Sequence, residues 1–167
     1  AIIRSIFERS ESMAPSVKDL TVAVPHFRAT IIGAGRSPVA AAAYRHRTEM
    51  DDESQGRTFR YANRGDLAHE EISQPVDTPL WLRNALQGQN TAKASQILWN
   101  AVVAGERQVN GQFAREIVIA LPNELTLPES IALMRDFIAA EFTSKGMIAD
   151  WVVHAVPGNP HVHVMHT

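Results

Sequence analysis

The 167-residue chain contains no cysteine, so a disulfide framework and a thiolate metal site are both excluded, and any bound metal must be held by His, Asp or Glu. A reducing, cytoplasmic setting is the natural expectation for such a chain. Long apolar runs are missing as well: segments such as Val39–Ala43 fall far short of the roughly 20 residues that cross a bilayer, which excludes a membrane span. The opening AIIRSIFERSES has no apolar stretch of the kind a secretory signal needs, and residues 1–20 are expected to be a tail or non-native remnant outside the folded domain. Basic excess is absent too. A net charge of −2 argues against a surface given over entirely to nucleic acid. Tyrosine is scarce, with only Tyr44 and Tyr61 in the chain.

What is present is 45% hydrophobic residues, enough for one core at this length and too little for two comfortable domains. Positive charge is carried mostly by arginine and clusters early: Arg28, Arg36, Arg45, Arg47, Arg57, Arg60 and Arg64. Guanidinium groups suit forked phosphate contacts. The same stretch holds the acidic run Glu49–Glu53, so a solvated surface of mixed charge is an equally available reading at this point.

Residues 21–32, TVAVPHFRATII, carry the β-branched and aromatic content of a first core strand, ended by Gly33–Gly35. In SPVAAAAYRHRTEM, Ser37 can cap, Pro38 suits the first helical position, and the alanine run has high helix propensity, which places Tyr44 on a helix. Residues 51–75 read as a polar excursion with one hairpin around RTFRYA. The apolar spacing from Pro79 to about Val109 predicts two helices divided at Gly88. REIVIALP at 115–122 predicts a buried strand, Thr126–Phe142 an amphipathic helix entered through Pro128 and ended by Gly146, and MIADWVVHAV with HVHVMHT a hairpin across PGNP. The fold class expected is α+β, an antiparallel sheet with flanking helices.

The sharpest chemical feature lies in that last hairpin. Strand side chains alternate with period two, so His161 and His163 share a face, and pairing across PGNP brings His154 opposite His161 on the same face. Three imidazoles leave coordination positions open, as catalytic metal sites do. A lone His-x-His pair is equally well two polar residues on an exposed sheet face; the third histidine shifts the balance toward metal. His166 has the wrong parity, and His26, His46 and His69 are expected to be surface or hydrogen-bonded residues. Tyr44 alone reads as a packing residue.

The segments GRSPVAAAAYRHRTEM, REIVIALPNEL and GMIADWVVHAVPGNPHVHVMHT, with RGDLAHEE and ILWNAV between them, occur in that order in the MobA/MobL family of plasmid relaxases. The chain resembles that family over about residues 21–167, and especially the TraA-type relaxases of Ti and related plasmids. Family members begin near Val22–Pro25 and continue past the histidine strand, so residues 21–167 are expected to be a nicking domain within a longer protein. The resemblance implies the HUH endonuclease fold, with Tyr44 as nucleophile, His154, His161 and His163 as ligands of a divalent metal (magnesium, manganese or another transition metal), and Glu116 as a carboxylate orienting a ligand histidine. It also implies nicking of single-stranded or hairpin DNA at an origin of transfer, through a 5′-phosphotyrosyl intermediate and without a nucleotide cofactor. Backbone contacts are expected from Arg36, Arg45 and Arg47, and accessory relaxosome proteins and a type IV secretion coupling protein as partners. Two other readings compete: a replication-initiator or transposase nickase of the same chemistry, against which the flanking motifs speak, and a non-enzymatic sheet domain that stacks DNA bases on Phe59, Tyr61 and Trp151. Covalent adduct formation separates the enzymes from the binder.

Overall fold

A computed structural model describes residues 26–167. The expected tail, and residues 21–25 of the expected first strand, lie outside the described residues. Seven strands and four helices follow in the order β1 (Phe27–Gly33), α1 (Pro38–Arg45), β2 (Glu49–Asp52), β3 (Arg57–Arg60), β4 (Leu67–Ser73), α2 (Leu80–Leu86), α3 (Thr91–Gly105), β5 (Gln112–Ala120), α4 (Leu127–Glu141), β6 (Ala149–Val156) and β7 (Asn159–His166), with a 3-10 turn at Thr143–Lys145. Five strands form one sheet in the order β1-β5-β7-β6-β4, with every neighbouring pair antiparallel, and β2 pairs β3 in a separate hairpin.

Local chemistry explains most of the boundaries. Ser37 caps α1 by accepting from the Ala40 amide at 2.9 Å, and Pro38 occupies the first turn, where its missing N–H costs nothing. In α4, Thr126 and Glu129 satisfy each other's backbone amides in a capping box. Gly88 takes φ 76°, a left-handed conformation that breaks α2 from α3. The β6–β7 turn consists of Pro157 and Gly158 alone, with Gly158 at φ 73°, so Asn159 and Pro160 already belong to β7.

Each face of the sheet covers a separate core. On one, α4 packs Met134, Phe137 and Ile138 against Ile117, Ile119, Trp151, Val153, Val162 and Val164. On the other, Val39, Ala42 and Ala43 of α1 and Leu98 and Trp99 of α3 meet Ile32, Ala114, Ile148 and Met165. The three layers are helices, sheet, helix. Pro38, Val39, Ala42 and Ala43 are the residues that α1 buries.

Three expectations need correction. β4 forms the edge of the sheet, where a polar excursion was expected; its mixture of charged and apolar side chains, all half-buried, hides the alternation of an interior strand. The acidic run 49–53 supplies β2, where no strand was expected: Glu49, Asp51 and Glu53 face solvent as expected, with Glu49 pairing Arg60, whereas Met50 and Asp52 are each 1% exposed and Asp52 accepts from Ser37. β5 begins at Gln112, three residues before Arg115, and ends at Ala120.

Candidate active site

The register of the β6–β7 hairpin pairs His154 with His161 and Val152 with His163, so the three histidines expected to converge do so on the face covered by α1. Their ring centroids stand 5.3, 5.0 and 5.1 Å apart, and one nitrogen from each lies within 4.8 Å of the others. His154 is fully buried, while His161 and His163 are half-buried.

Each ring has one nitrogen committed to an oxygen that can only accept. His154 Nε2–H donates to the Arg45 carbonyl at 2.8 Å, His161 Nδ1–H to the Asn159 carbonyl at 2.8 Å, and His163 Nδ1–H to Glu116 Oε1 at 2.9 Å. The tautomers are thereby fixed, which leaves a lone pair on His154 Nδ1, His161 Nε2 and His163 Nε2. Burial holds His154 well below the usual range, at about 4, against the opposing pull of the Arg45 carbonyl. Burial likewise lowers His163, opposed by its bond to Glu116. Neutral imidazoles with fixed tautomers and lone pairs on one face are the donor set that a divalent transition ion takes, and the cluster fits such an ion.

Glu116 stands on β5, diagonally across from His163, and its other contact is a bidentate pair with Arg45. Burial would raise its pKa, but the bonds from His163 and Arg45 and the Arg45 charge bring it to about 2. It is therefore an ionised carboxylate with both oxygens engaged.

Tyr44 occupies the last turn of α1, next to Arg45, whose carbonyl holds His154. Three guanidinium carbons surround its ring, at 4.7 Å for Arg47, 5.1 Å for Arg45 and 5.9 Å for Arg64. Its pKa is lowered from the usual 10, first by hydrogen bonding from Arg47, against the desolvation that would raise it, and then by the charges of Arg47, Arg64 and Arg45. Arg47 is 8% exposed and sits at φ 52°, a left-handed conformation uncommon for a non-glycine residue. Its guanidinium donates to the Tyr44 carbonyl at 3.0 Å, to both Asp66 oxygens at 3.0 and 2.9 Å, and at 3.5 Å to His154 Nδ1, whose lone pair a metal would take in its place. The three arginines expected to meet DNA thus divide: Arg45 and Arg47 are tied inside the site, whereas Arg36 is exposed and, among the described residues, has no carboxylate partner.

Sequence reasoning missed three groups. His46, the C-cap of α1, is 3% exposed and bridges Glu70 of β4 and Asp150 of β6, at 2.8 Å to each. Burial opposes its charge, yet Asp150 and Glu70 raise its pKa to about 9, and Asp150 also accepts from Ser95 and from Trp99 Nε1. Asp66 orients Arg47. Tyr61, without a positional signal in the sequence, stands edge-on to Tyr44 at 5.3 Å. These partners are separated from one another by 17 to 104 residues, beyond the reach of any local pattern.

Residues 36–167 match the MobA/MobL family. The chain is 47% identical over 148 residues to a probable conjugal transfer protein TraA of Sinorhizobium fredii, covering 87% of this chain and 13% of that protein. It is 45% identical to the conjugal transfer protein TraA of Agrobacterium fabrum, covering 87% and 14%. The mobilization protein MobL of Acidithiobacillus ferridurans is 34% identical over 136 residues, 80% of this chain and 32% of that one. Among solved structures, one from work on the molecular basis of vancomycin resistance transfer in Staphylococcus aureus superimposes with a TM-score of 0.72 at 28% identity, over 87% of this chain and 70% of the other. The chain spans about one-seventh of the length of the TraA relatives.

Proposed function

This chain belongs to the MobA/MobL family, and from that premise we propose that it nicks one strand of plasmid DNA at an origin of transfer, with Tyr44 as the covalent nucleophile. Its α+β architecture is that of the HUH endonucleases. The observation that carries the reading is the junction between α1 and the histidine cluster: His154 bonds the carbonyl of the residue that follows Tyr44, and Arg47 touches both Tyr44 and His154. Nucleophile and ligand cluster are one rigid unit.

A phenol is a weak nucleophile at neutral pH. The three guanidinium groups around Tyr44 favour its phenolate, and the edge contact with Tyr61 restrains its ring. Tyr44 Oη attacks the scissile phosphorus, the bond to the 3′ oxygen breaks, and the proton lost by the phenol is balanced by the one gained at the free 3′ hydroxyl. His154, His161 and His163 would hold a divalent ion, which when bound supplies positive charge to the phosphate oxygens. Glu116 keeps His163 in the tautomer with its lone pair free and at the same time fixes Arg45. Because one ester is exchanged for another, the link conserves the free energy needed to rejoin the strand, and no nucleotide cofactor is required.

DNA backbone contacts fall to the exposed Arg36 and Arg64, while Arg45 and Arg47 act by holding Glu116 and Tyr44. Accessory relaxosome proteins and a secretion coupling protein are the partners proposed for the longer protein. Among the described residues no helix is long and apolar enough to cross a membrane.

The test is incubation with a single-stranded origin oligonucleotide and magnesium or manganese, followed by denaturing electrophoresis. A protein–DNA adduct formed by the wild type supports the reading. Binding without adduct would favour a non-enzymatic single-strand binder.

A further inference from the structure

An open cleft of about 290 Å³ lies beside Tyr44, with no histidine in its lining. Ile32, Ala40 and Ala41 line it with aliphatic groups and Ser37 with a polar one; Tyr44 and Tyr61 supply aromatic surface, and Arg36 and Arg45 supply cations. The wall is stiff for a loop-borne structure. Tyr61 follows β3 directly, and its amide bonds the Thr48 carbonyl at 3.2 Å. The β2–β3 hairpin is in turn pinned to α1 through Asp52 and Ser37. It is pinned to α3 through Gln96 on the Asp51 amide at 3.1 Å and Asn100 on the Glu53 amide at 2.9 Å. The Tyr61 ring is 37% exposed, so part of its surface remains uncovered.

We propose that this cleft is the subsite for one nucleotide next to the scissile phosphate, with its base against Tyr61 and its phosphate on Arg36. The proposal rests on the nicking reading and deepens it. An exposed aromatic surface accepts the π-face of any base, and a guanidinium at the same site matches the adjoining phosphate. The volume lies just below the range for small-ligand sites, about 300–1,000 Å³, a scale that suits a single unstacked nucleotide. The position follows from the lining itself: the cleft shares Tyr44 with the reaction, so whatever occupies it is a neighbour of the phosphate under attack. The role assigned to Tyr61 is stacking, and through stacking the alignment of the phosphate with Tyr44.

The experiment uses a single-stranded origin oligonucleotide with a tetrahydrofuran abasic site placed in turn at each nucleotide, those flanking any scissile phosphate included. Binding is read by fluorescence anisotropy and cleavage by adduct yield. One flanking abasic site should weaken binding to the wild type about tenfold, the scale of one base–aromatic stack. Tyr61→Ala should show the same loss on the intact oligonucleotide and no further loss on the abasic one, and Tyr61→Phe should behave as wild type on both. Equal sensitivity of wild type and Tyr61→Ala to every abasic position would overturn the subsite, as would a Tyr61→Ala defect in adduct yield with unchanged binding, since Tyr61 would then serve only to hold Tyr44. Base-dependent binding without adduct on any oligonucleotide would leave the subsite standing and remove the nicking reading, so the two failures are distinguishable.

Discussion

The two faces of the central sheet are built on opposite terms. Under α4 the interface is almost wholly apolar, with Trp151, Val162, Val164 and Met134 fully buried. Under α1 and α3 the same strands bury Glu116, Asp150 and His154, with His46 and Arg47 set against them. Buried polar groups are costly unless each finds a partner, and here almost all do; among the described residues the lone unpaired buried side-chain atom is Gln74 Oε1. The dry face supplies stability through area removed from water. The polar face spends stability to hold charges in fixed positions. That division teaches where damage to the fold and damage to the chemistry should separate.

Trp151→Ala attacks the dry face and has the largest expected effect on stability, a loss of roughly 3–5 kcal/mol in urea unfolding. Adduct yield per folded molecule should persist in the cold, because no group of the active site is touched. A mutant that stays stable but loses adduct would break the comparison.

His46 tests the polar face. Its folded pKa, raised from 6.5 to about 9, corresponds to roughly 3 kcal/mol, at about 1.4 kcal/mol per unit. Since the raised value belongs to the folded state, this stability is complete below pH 6.5 and is lost as pH rises toward 9. His154 and His163 are shifted the other way, so their contribution is present above pH 6.5 and lost as pH falls below it, for His154 toward about 4. Unfolding free energy should therefore peak near neutral pH, and His46→Gln should flatten its alkaline side alone. An unchanged alkaline slope in that variant would contradict the clamp.

Glu116→Gln keeps the shape of the side chain but removes the charge that orients His163 and Arg45. Manganese affinity measured by calorimetry should fall about 10- to 100-fold, with a much smaller change in thermal stability than for Trp151→Ala. Equal affinity would remove Glu116 from the site. The smallest effect is expected from Arg36→Gln at the solvent edge, where the log–log salt dependence of single-strand binding should flatten by about 0.7, one phosphate contact. Arg45→Gln, by contrast, should lower adduct yield at every salt concentration, which distinguishes a positioning arginine from a binding one.

The same contrast explains how much could be read from the chain alone. His154, His161 and His163 were legible because strand parity is a local rule: pairing across PGNP keeps them on one face, and the two-residue turn at Pro157 and Gly158 sets His154 opposite His161. The helix bearing Tyr44 was equally legible from Ser37, Pro38 and the alanines. The strand at 67–73 escaped because an edge position tolerates charge, and Glu70 and Glu71 there find partners in His46 and Arg135, far away in sequence. Nothing near Tyr61 announces that a hairpin will carry it back against Tyr44. Arg45 and Arg47 were expected to contact the DNA backbone; their pairing with Glu116 and Asp66 was not legible because those carboxylates come into range only when the chain has folded.

The central claim, that Tyr44 is the residue that becomes joined to DNA, is tested most directly by trapping the adduct, digesting it, and locating the nucleotide by mass spectrometry. Tyr44 and Tyr61 are the two tyrosines available and lie in different tryptic peptides, because Arg45, Arg47, Arg57 and Arg60 fall between them. The nucleotide should reside on the peptide that ends at Arg45, and Tyr44→Phe should yield no adduct while unfolding at nearly the wild-type temperature. A nucleotide on the Tyr61 peptide, or adduct persisting in Tyr44→Phe, would contradict the account.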